Sequence, residues 1–242
     1  MQIIILAAGK GTRMNSELPK VMHQVAGKPM IEHVINNSME VTEDLILVYS
    51  SHLEPYLSDI VSSTKLVKQE QQLGTAHATQ AAKEFFSDQE IAVIYGDNPM
   101  ISGSIINELF LHLHNTHSKV VTLAFDYHKP NQYGRIITDQ EGNFQKIIEE
   151  KFATKEDKEI TLCNSGIMVF APGILPKYID YCVNDVNELG KESYLTDIIE
   201  VCKKSGEAVS YYKVQDYNVA IGINTPEELA SANNLINYKG ET

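Results

Sequence analysis

Glycines and cations crowd together near the start of this chain. Ala7-Ala8-Gly9-Lys10-Gly11-Thr12 is followed at once by Arg13 and, further on, by Lys20. In a Gly-rich turn, successive backbone N–H groups can converge on one phosphate, because glycine tolerates the required dihedrals and lets the main chain approach closely. Two nearby cations would then neutralise the anion. The loop lacks the third glycine of the dinucleotide fingerprint, and no G-x-x-x-x-G-K-[ST] occurs, so hydride transfer and P-loop ATPase chemistry both lose ground. Asp97 follows the apolar run 91–95 on the segment Tyr95-Gly96-Asp97. Read alone, the cations also fit a chance cluster of solvated lysines, and Asp97 fits a turn cap before Pro99.

Buried strands must position these residues. Residues 3–6 form an apolar, β-branched run that leads directly into the glycines. Further continuous apolar runs at 45–49 and 91–95 predict strands covered on both faces, with shorter ones at 65–67 and 120–125. Helices are predicted between them, beginning at Pro29-Met30-Ile31, over 76–86 and over 103–116. Strands alternating with helices imply a mainly parallel sheet, and ligands of such sheets bind beyond the carboxyl ends of the strands. The glycine loop, the 71–75 segment and Asp97 all fall at such ends, so residues distant in sequence are expected to share one site.

After Tyr133 the pattern changes. Residues 136–138 and 146–148 flank a turn at Glu141-Gly142-Asn143 and predict a hairpin, and the charged segment 151–159 reads as a mobile loop. Strands over 164–170 and 208–214 follow, with helices over 193–202 and 225–238, the last capped by Asn224 or Thr225. The fold class is therefore α/β. The expected form is Rossmann-like and three-layered, a mainly parallel mixed sheet with helices on both faces and a C-terminal insertion over the strand ends. The 242 residues suit a single domain: a nucleotide-binding half (1–130), a second part (131–224) and a closing helix (225–242).

A formal net charge of -12 argues against a protein that coats nucleic acid or anionic lipid, since both need a positive face. Yet Lys10, Arg13, Lys20 and Lys28 face the single acid Glu17 within the first thirty residues, which points to a small anionic ligand. No stretch approaches the ~20 consecutive apolar residues of a membrane span, and no signal peptide is apparent. Cys163, Cys182 and Cys202 lack close spacing and suit reduced thiols, so a cytoplasmic protein is expected. His112, His114 and His117 look like a metal cluster, but helical residues two apart do not share a face.

Leu6 to Met14 followed by Pro19-Lys20 resembles the L-A-A-G-x-G-T-R-M…P-K signature of the sugar-nucleotide pyrophosphorylases. The likeness is greatest to the uridyltransferase domain of the bacterial N-acetylglucosamine-1-phosphate uridyltransferases. Gln72-Leu73-Gly74-Thr75-Ala76-His77-Ala78 resembles that family's Q-L-G-T-[GA]-H-A. Tyr95-Gly96-Asp97, Tyr133-Gly134-Arg135-Ile136, Ile148-Glu149-Glu150-Lys151, Asn164-Ser165-Gly166-Ile167, Tyr194-Leu195-Thr196-Asp197 and Gly222-Ile223-Asn224 match its later motifs in order. Together they span almost the whole chain.

The resemblance implies a Mg²⁺-dependent transfer of the uridylyl group from UTP to N-acetylglucosamine 1-phosphate, giving pyrophosphate and UDP-N-acetylglucosamine, a cell-wall precursor. It places Arg13 and Lys20 in catalysis. Leu6, Ala7, Ala8, Gly9, Gly11, Thr12, Gln72, Gly74 and Thr75 would bind the nucleotide, and Gly134, Glu149, Asn164, Ser193 and Tyr194 the sugar. Asp97 and Asn224 would hold the metal. Asn224 could instead be only a helix cap. Larger relatives carry an acetyltransferase domain of hexapeptide repeats; this sequence has no such repeat, so neither acetyl transfer nor the trimer that domain organises is expected. Asn98 departs from the family's small apolar residue beside the metal-binding Asp, which bears on sugar specificity. A related transferase for another sugar 1-phosphate or nucleotide, and a non-catalytic nucleotide-sugar-binding protein, are the competing readings.

Overall fold

The computed structural model describes residues 1–60, 64–129, 131–187 and 192–240. Its strands are β1 (Gln2–Ala7), β2 (Gln24–Val25), β3 (Lys28–Pro29), β4 (Leu45–Tyr49), β5 (Lys65–Lys68), β6 (Ile91–Tyr95), β7 (Val120–Asp126), β8 (Arg135–Thr138), β9 (Phe144–Ile148), β10 (Leu162–Phe170) and β11 (Val209–Val214). The helices are α1 (Met30–Met39), α2 (Leu57–Ile60), α3 (Thr75–Ala81), α4 (Gly103–Asn115), α5 (Lys155–Lys158), α6 (Ile174–Asn187), α7 (Asp197–Lys204) and α8 (Pro226–Gly240).

One sheet organises the molecule, in the order β11-β7-β10-β6-β1-β4-β5. β1 pairs in parallel with both β4 and β6, with Ile4 opposite Ile46 and Val93. All three strands are apolar at these positions because helices cover them on both sides. α1 and α4 pack together in one helical layer, while α3, α6 and α7 form another. β10 is the exception to the parallel arrangement, running antiparallel between β6 and β7. The chain after 131 therefore completes the sheet with β10 and β11, and the β8–β9 hairpin branches from β10.

Three local expectations are corrected. The 193–202 helix begins only at Asp197, because the Ser193 carbonyl that a helix from 193 would offer to residue 197 accepts instead from Ala76 N, while Asp197 N donates to Tyr194 O. The 151–159 segment folds into two short helical turns. Thr154 and Asp157 form a reciprocal capping box at the start of α5, and Lys158 pairs with Glu150. The expected 76–86 helix ends at Ala81, giving way to a tighter turn at Lys83–Phe85. α6 occupies a stretch to which the sequence reading assigned no element. Its Ile174, Leu175, Tyr178, Ile179, Cys182 and Val183 are buried at helical spacing.

Candidate active site

The site opens where β1 and β6 end side by side, with Gly96 N donating to Leu6 O (2.9 Å). From there the glycine loop turns back over the strand ends. Gly11 has φ +61°, and a Cβ at that position would lie 2.6 Å from Lys20 Cβ. Only glycine lets the loop close on Lys20. Among the described residues, nothing accepts from the N–H groups of Gly9, Lys10 and Gly11, which leaves three donors for an anion.

Four side chains from distant segments meet at the floor. The Lys20 ammonium donates to Asp97 Oδ2 and, at 2.9 Å, to Asn224 Oδ1. Arg13 Nη2 donates to the same Asn224 oxygen (2.9 Å), and its Nη1 reaches Gln132. The capping alternatives are settled by these contacts. Thr225 Oγ1 accepts from Glu228 N, while Glu228 Oε2 accepts from the N–H groups of Asn224 and Thr225. That box starts α8 and leaves the Asn224 amide oxygen facing the cations. The Asp97 carboxylate likewise serves Lys20, while its main-chain oxygen accepts from Ile223 N (2.9 Å).

The resulting cleft measures about 520 Å³. Leu6, Ala7, Ala8, Gly9, Gly11, Thr12, Arg13, Lys20, Gln72, Gly74, Thr75, Asp97, Tyr194 and Asn224 all line it. Their small residues leave room for a planar base against the main chain.

The loop before α3 is held by an unexpected clasp. Gly74 has φ +109°, and a Cβ there would fall 2.2 Å from Ser193 O. Ser193 is 1% exposed. Its N–H and hydroxyl both donate to Leu73 O, and its carbonyl and hydroxyl oxygens accept from Ala76 N and His77 N. Every polar atom of Ser193 is thus engaged within the protein, so its expected place among the sugar contacts is corrected to that of a brace for the 73–77 segment.

The remaining expected sugar residues form a contiguous second group. Asn164 N donates to Gly134 O (2.9 Å), and a Cβ on Gly134 would lie 3.4 Å from Glu149 Oε2. Glu149 Oε1 accepts from Thr196 Oγ1 (2.6 Å). Asn164 Oδ1 accepts from Thr122 Oγ1 and from Gly166 N, inside an irregularity of β10 between Asn164 and Met168. Gly166 makes that irregularity possible, with φ +86° and the Tyr95 ring 2.8 Å from where a Cβ would lie. Tyr95 also lines the nucleotide cleft and so joins the two groups. Burial pushes its phenol well above the usual range, with Asp97 and Glu149 acting in the same direction. Burial likewise raises the Asp197 carboxyl, and Glu149 adds to that shift.

Asp97 and Asn224 present two oxygens to a single cationic point, which the Lys20 ammonium takes. That donor set fits a hard ion such as Mg²⁺, which accepts few protein oxygens and completes its shell with water and phosphate. Among the described residues no three His, Cys, Asp or Glu side chains form a metal cage. His112 packs on Tyr212 and His114 pairs with Glu90.

A family model described as nucleotidyl transferase matches residues 2–234. The chain belongs to the nucleotidyl transferase family. It is 37% identical over 231 residues to the bifunctional protein GlmU of Alkaliphilus oremlandii (strain OhILAs), covering 95% of this chain and 50% of that protein. With GlmU of Desulfotalea psychrophila (strain LSv54 / DSM 12343) the figures are 39% over 237 residues, 96% and 69%. The chain spans about half the length of most such relatives it matches. A crystal structure of a putative glucose-1-phosphate thymidylyltransferase from Bacillus anthracis shares the fold at TM-score 0.75 and 20% identity, over 97% of this chain and 94% of that one. A UDP-glucose pyrophosphorylase complexed with UDP-glucose does so at the same TM-score and identity, over 98% of each.

In this nucleotidyl transferase Lys10 of the cationic cluster also lines the cleft, as do five residues given no site role from the sequence: Val21, Gln69, Ala78, Tyr95 and Glu192. Gln69 is the most informative of them, 3% exposed, with Nε2 donating to Gly74 O and meeting His77 Nδ1 (2.9 Å). Gln69 directly follows β5, whose sequence Lys-Leu-Val-Lys gives no local sign that the next polar side chain is buried. Burial lowers the His77 pKa, in keeping with a packed imidazole.

Proposed function

We propose that the protein transfers the uridylyl group of UTP to N-acetylglucosamine 1-phosphate, releasing pyrophosphate and forming UDP-N-acetylglucosamine. The observation that carries this reading is the convergence of Lys20, Arg13, Asp97 and Asn224 beside three unpartnered N–H groups. A sugar phosphate oxygen attacking the α-phosphorus in line needs no protein nucleophile, so the protein's task is charge and position. In this reading the N–H groups of the glycine loop and Arg13 hold the triphosphate, and Lys20 serves the α-phosphate and the incoming sugar phosphate, where negative charge crowds together. Mg²⁺, when bound by Asp97 and Asn224, supplies a hard positive charge to the phosphate oxygens.

Gln72 and the main chain around Ala8, Gly74 and Thr75 would hold uracil. Gly134, Glu149, Asn164 and Tyr194 would surround the sugar. Residues 1–130 would then be the nucleotide-binding half, 131–224 the sugar-binding part and 225–242 the closing helix. With a net charge of -12, neither nucleic acid nor membrane is a proposed partner. No helix among the described residues is long and apolar enough to cross a membrane. Three buried, unpaired cysteines support work in the reducing cytoplasm.

Pyrophosphate release across nucleotide and sugar 1-phosphate pairs, with and without Mg²⁺, tests the reading. Turnover should be highest with UTP and N-acetylglucosamine 1-phosphate. Release with a different pair would replace the substrates and keep the chemistry; silence with every pair would leave only nucleotide-sugar binding.

A further inference from the structure

Asn98 follows Asp97 directly and departs from the apolar residue of the related motif. It is only 2% exposed and does not line the cleft. Its Nδ2 donates to Ala220 O at 3.0 Å, across 122 residues of chain and inside the core, where Ala220 is fully buried. One residue earlier, Asp97 O accepts from Ile223 N. The segment that delivers Asn224 is therefore pinned at two points, both on the turn that ends β6. Gly222 lies between the pins, so close that a Cβ on it would sit 3.2 Å from Asp97 Oδ2.

We infer that Asn98 is a positioning residue for the cation site, fixing the distance between the Asp97 carboxylate and the Asn224 amide oxygen; this rests on the reading of those two residues as metal ligands. Glu228 holds Asn224 N from the α8 side and Ile223 is buried, so the bond from Asn98 fixes how the segment sits against the turn that carries Asp97. Asn98 thus acts on the metal through Ala220 O, without lining the cleft itself. Partners one shell out from a ligand commonly set metal affinity by about 10- to 100-fold when removed.

The test is Mn²⁺ titration of the protein with UTP, followed by electron paramagnetic resonance, on wild type, Asn98→Val and Asn98→Asp. Valine removes the donor and keeps the burial; aspartate keeps the shape and opposes Ala220 O. Both should weaken Mn²⁺ binding about tenfold. The metal concentration for half-maximal pyrophosphate release should rise in parallel, while kcat at saturating metal and the KM for sugar phosphate stay within about twofold. Mn²⁺ affinity unchanged in Asn98→Val would overturn the inference, as would a fall in saturated kcat without a metal shift. If valine prevents folding, Asn98→Ser, which is small enough for the same pocket, is read against the same two outcomes. Absence of pyrophosphate release by the wild type would sink the proposed reaction while leaving the Mn²⁺ comparison intact. Failure of the wild type to bind Mn²⁺ with UTP would sink the inference itself.

Discussion

The two sides of the cleft are built on different principles. On the side proposed to hold the nucleotide, polar groups come from strand ends and a glycine turn, and among the described residues nothing accepts from the N–H groups of Gly9, Lys10 and Gly11. On the side proposed to hold the sugar, several acceptor oxygens are already engaged within the protein. Asn164 Oδ1 accepts from Thr122 Oγ1 and Gly166 N, and Glu149 Oε1 from Thr196 Oγ1. Unspent donors suit a ligand whose charge is fixed and large. Side chains locked by their neighbours suit one told apart by shape and hydroxyl placement, since a rotamer that cannot move cannot adapt to the wrong sugar. The first side should therefore govern rate, and the second fidelity and stability.

The strongest attempt to break this division is Lys20→Ala. Loss of a preorganised charged donor should lower kcat by roughly 10² to 10³ or more, measured as pyrophosphate release at saturating substrate. A tenfold loss or less would remove Lys20 from the centre of the chemistry. Next, Gly74→Ala forces a side chain into a φ of +109° and against Ser193 O. Strain and overlap together should cost about 2–4 kcal/mol in chemical denaturation, and the KM for nucleotide should rise because the loop must move. A substitution on the proposed sugar side, Asn164→Ala, leaves the Gly166 N–H without its acceptor and the Thr122 hydroxyl with only its longer bond to Ile167 O (3.3 Å). A cost of about 1–3 kcal/mol follows, with a larger change in the ratio of kcat/KM between competing sugar phosphates than in kcat for the best one. An equal loss for all sugars would erase the distinction between the two sides.

The smallest effect concerns the buried thiols, which lie away from both. Burial pushes Cys182 and Cys202 up to about 12 from an ordinary 9. Because the folded values are raised, the stability these thiols contribute is complete below about pH 9 and is lost as pH rises towards 12. Denaturation midpoints should be flat from pH 7 to 8.5 with respect to these groups and fall above it, and a thiol reagent at pH 8 should label the native protein far more slowly than the unfolded chain.

Much of the frame was legible in the residue order. β1, β4 and β6 are continuous apolar runs, and such runs have few other ways to be buried. The glycine loop carried its own chemistry in its composition. What escaped depended on pairings between distant segments. The helix expected from 193 fails for its first turn because the Ser193 carbonyl accepts from Ala76 N, which local spacing cannot reveal. Ser193 was misplaced for the same reason: a serine in a motif does not show which way its hydroxyl is spent. α6 did announce itself through Ile174, Leu175, Tyr178 and Ile179, but Pro176 near its start resembles a break, although proline is tolerated in a first turn. The Thr154-to-Asp157 capping box was likewise written in the charged 151–159 segment.

The hydrogen bond from Lys20 to Asn224 spans 204 residues of sequence. A ribosome adding about 5–20 residues per second would make Asn224 roughly 10–40 s after Lys20. For that interval the phosphate loop and its lysine exist without the amide that completes the floor of the cleft. Competence is thus a late event of synthesis, gained only when the segment after β11 docks on the turn behind β6, and a chain released before that point would carry a formed sheet and an unfinished site.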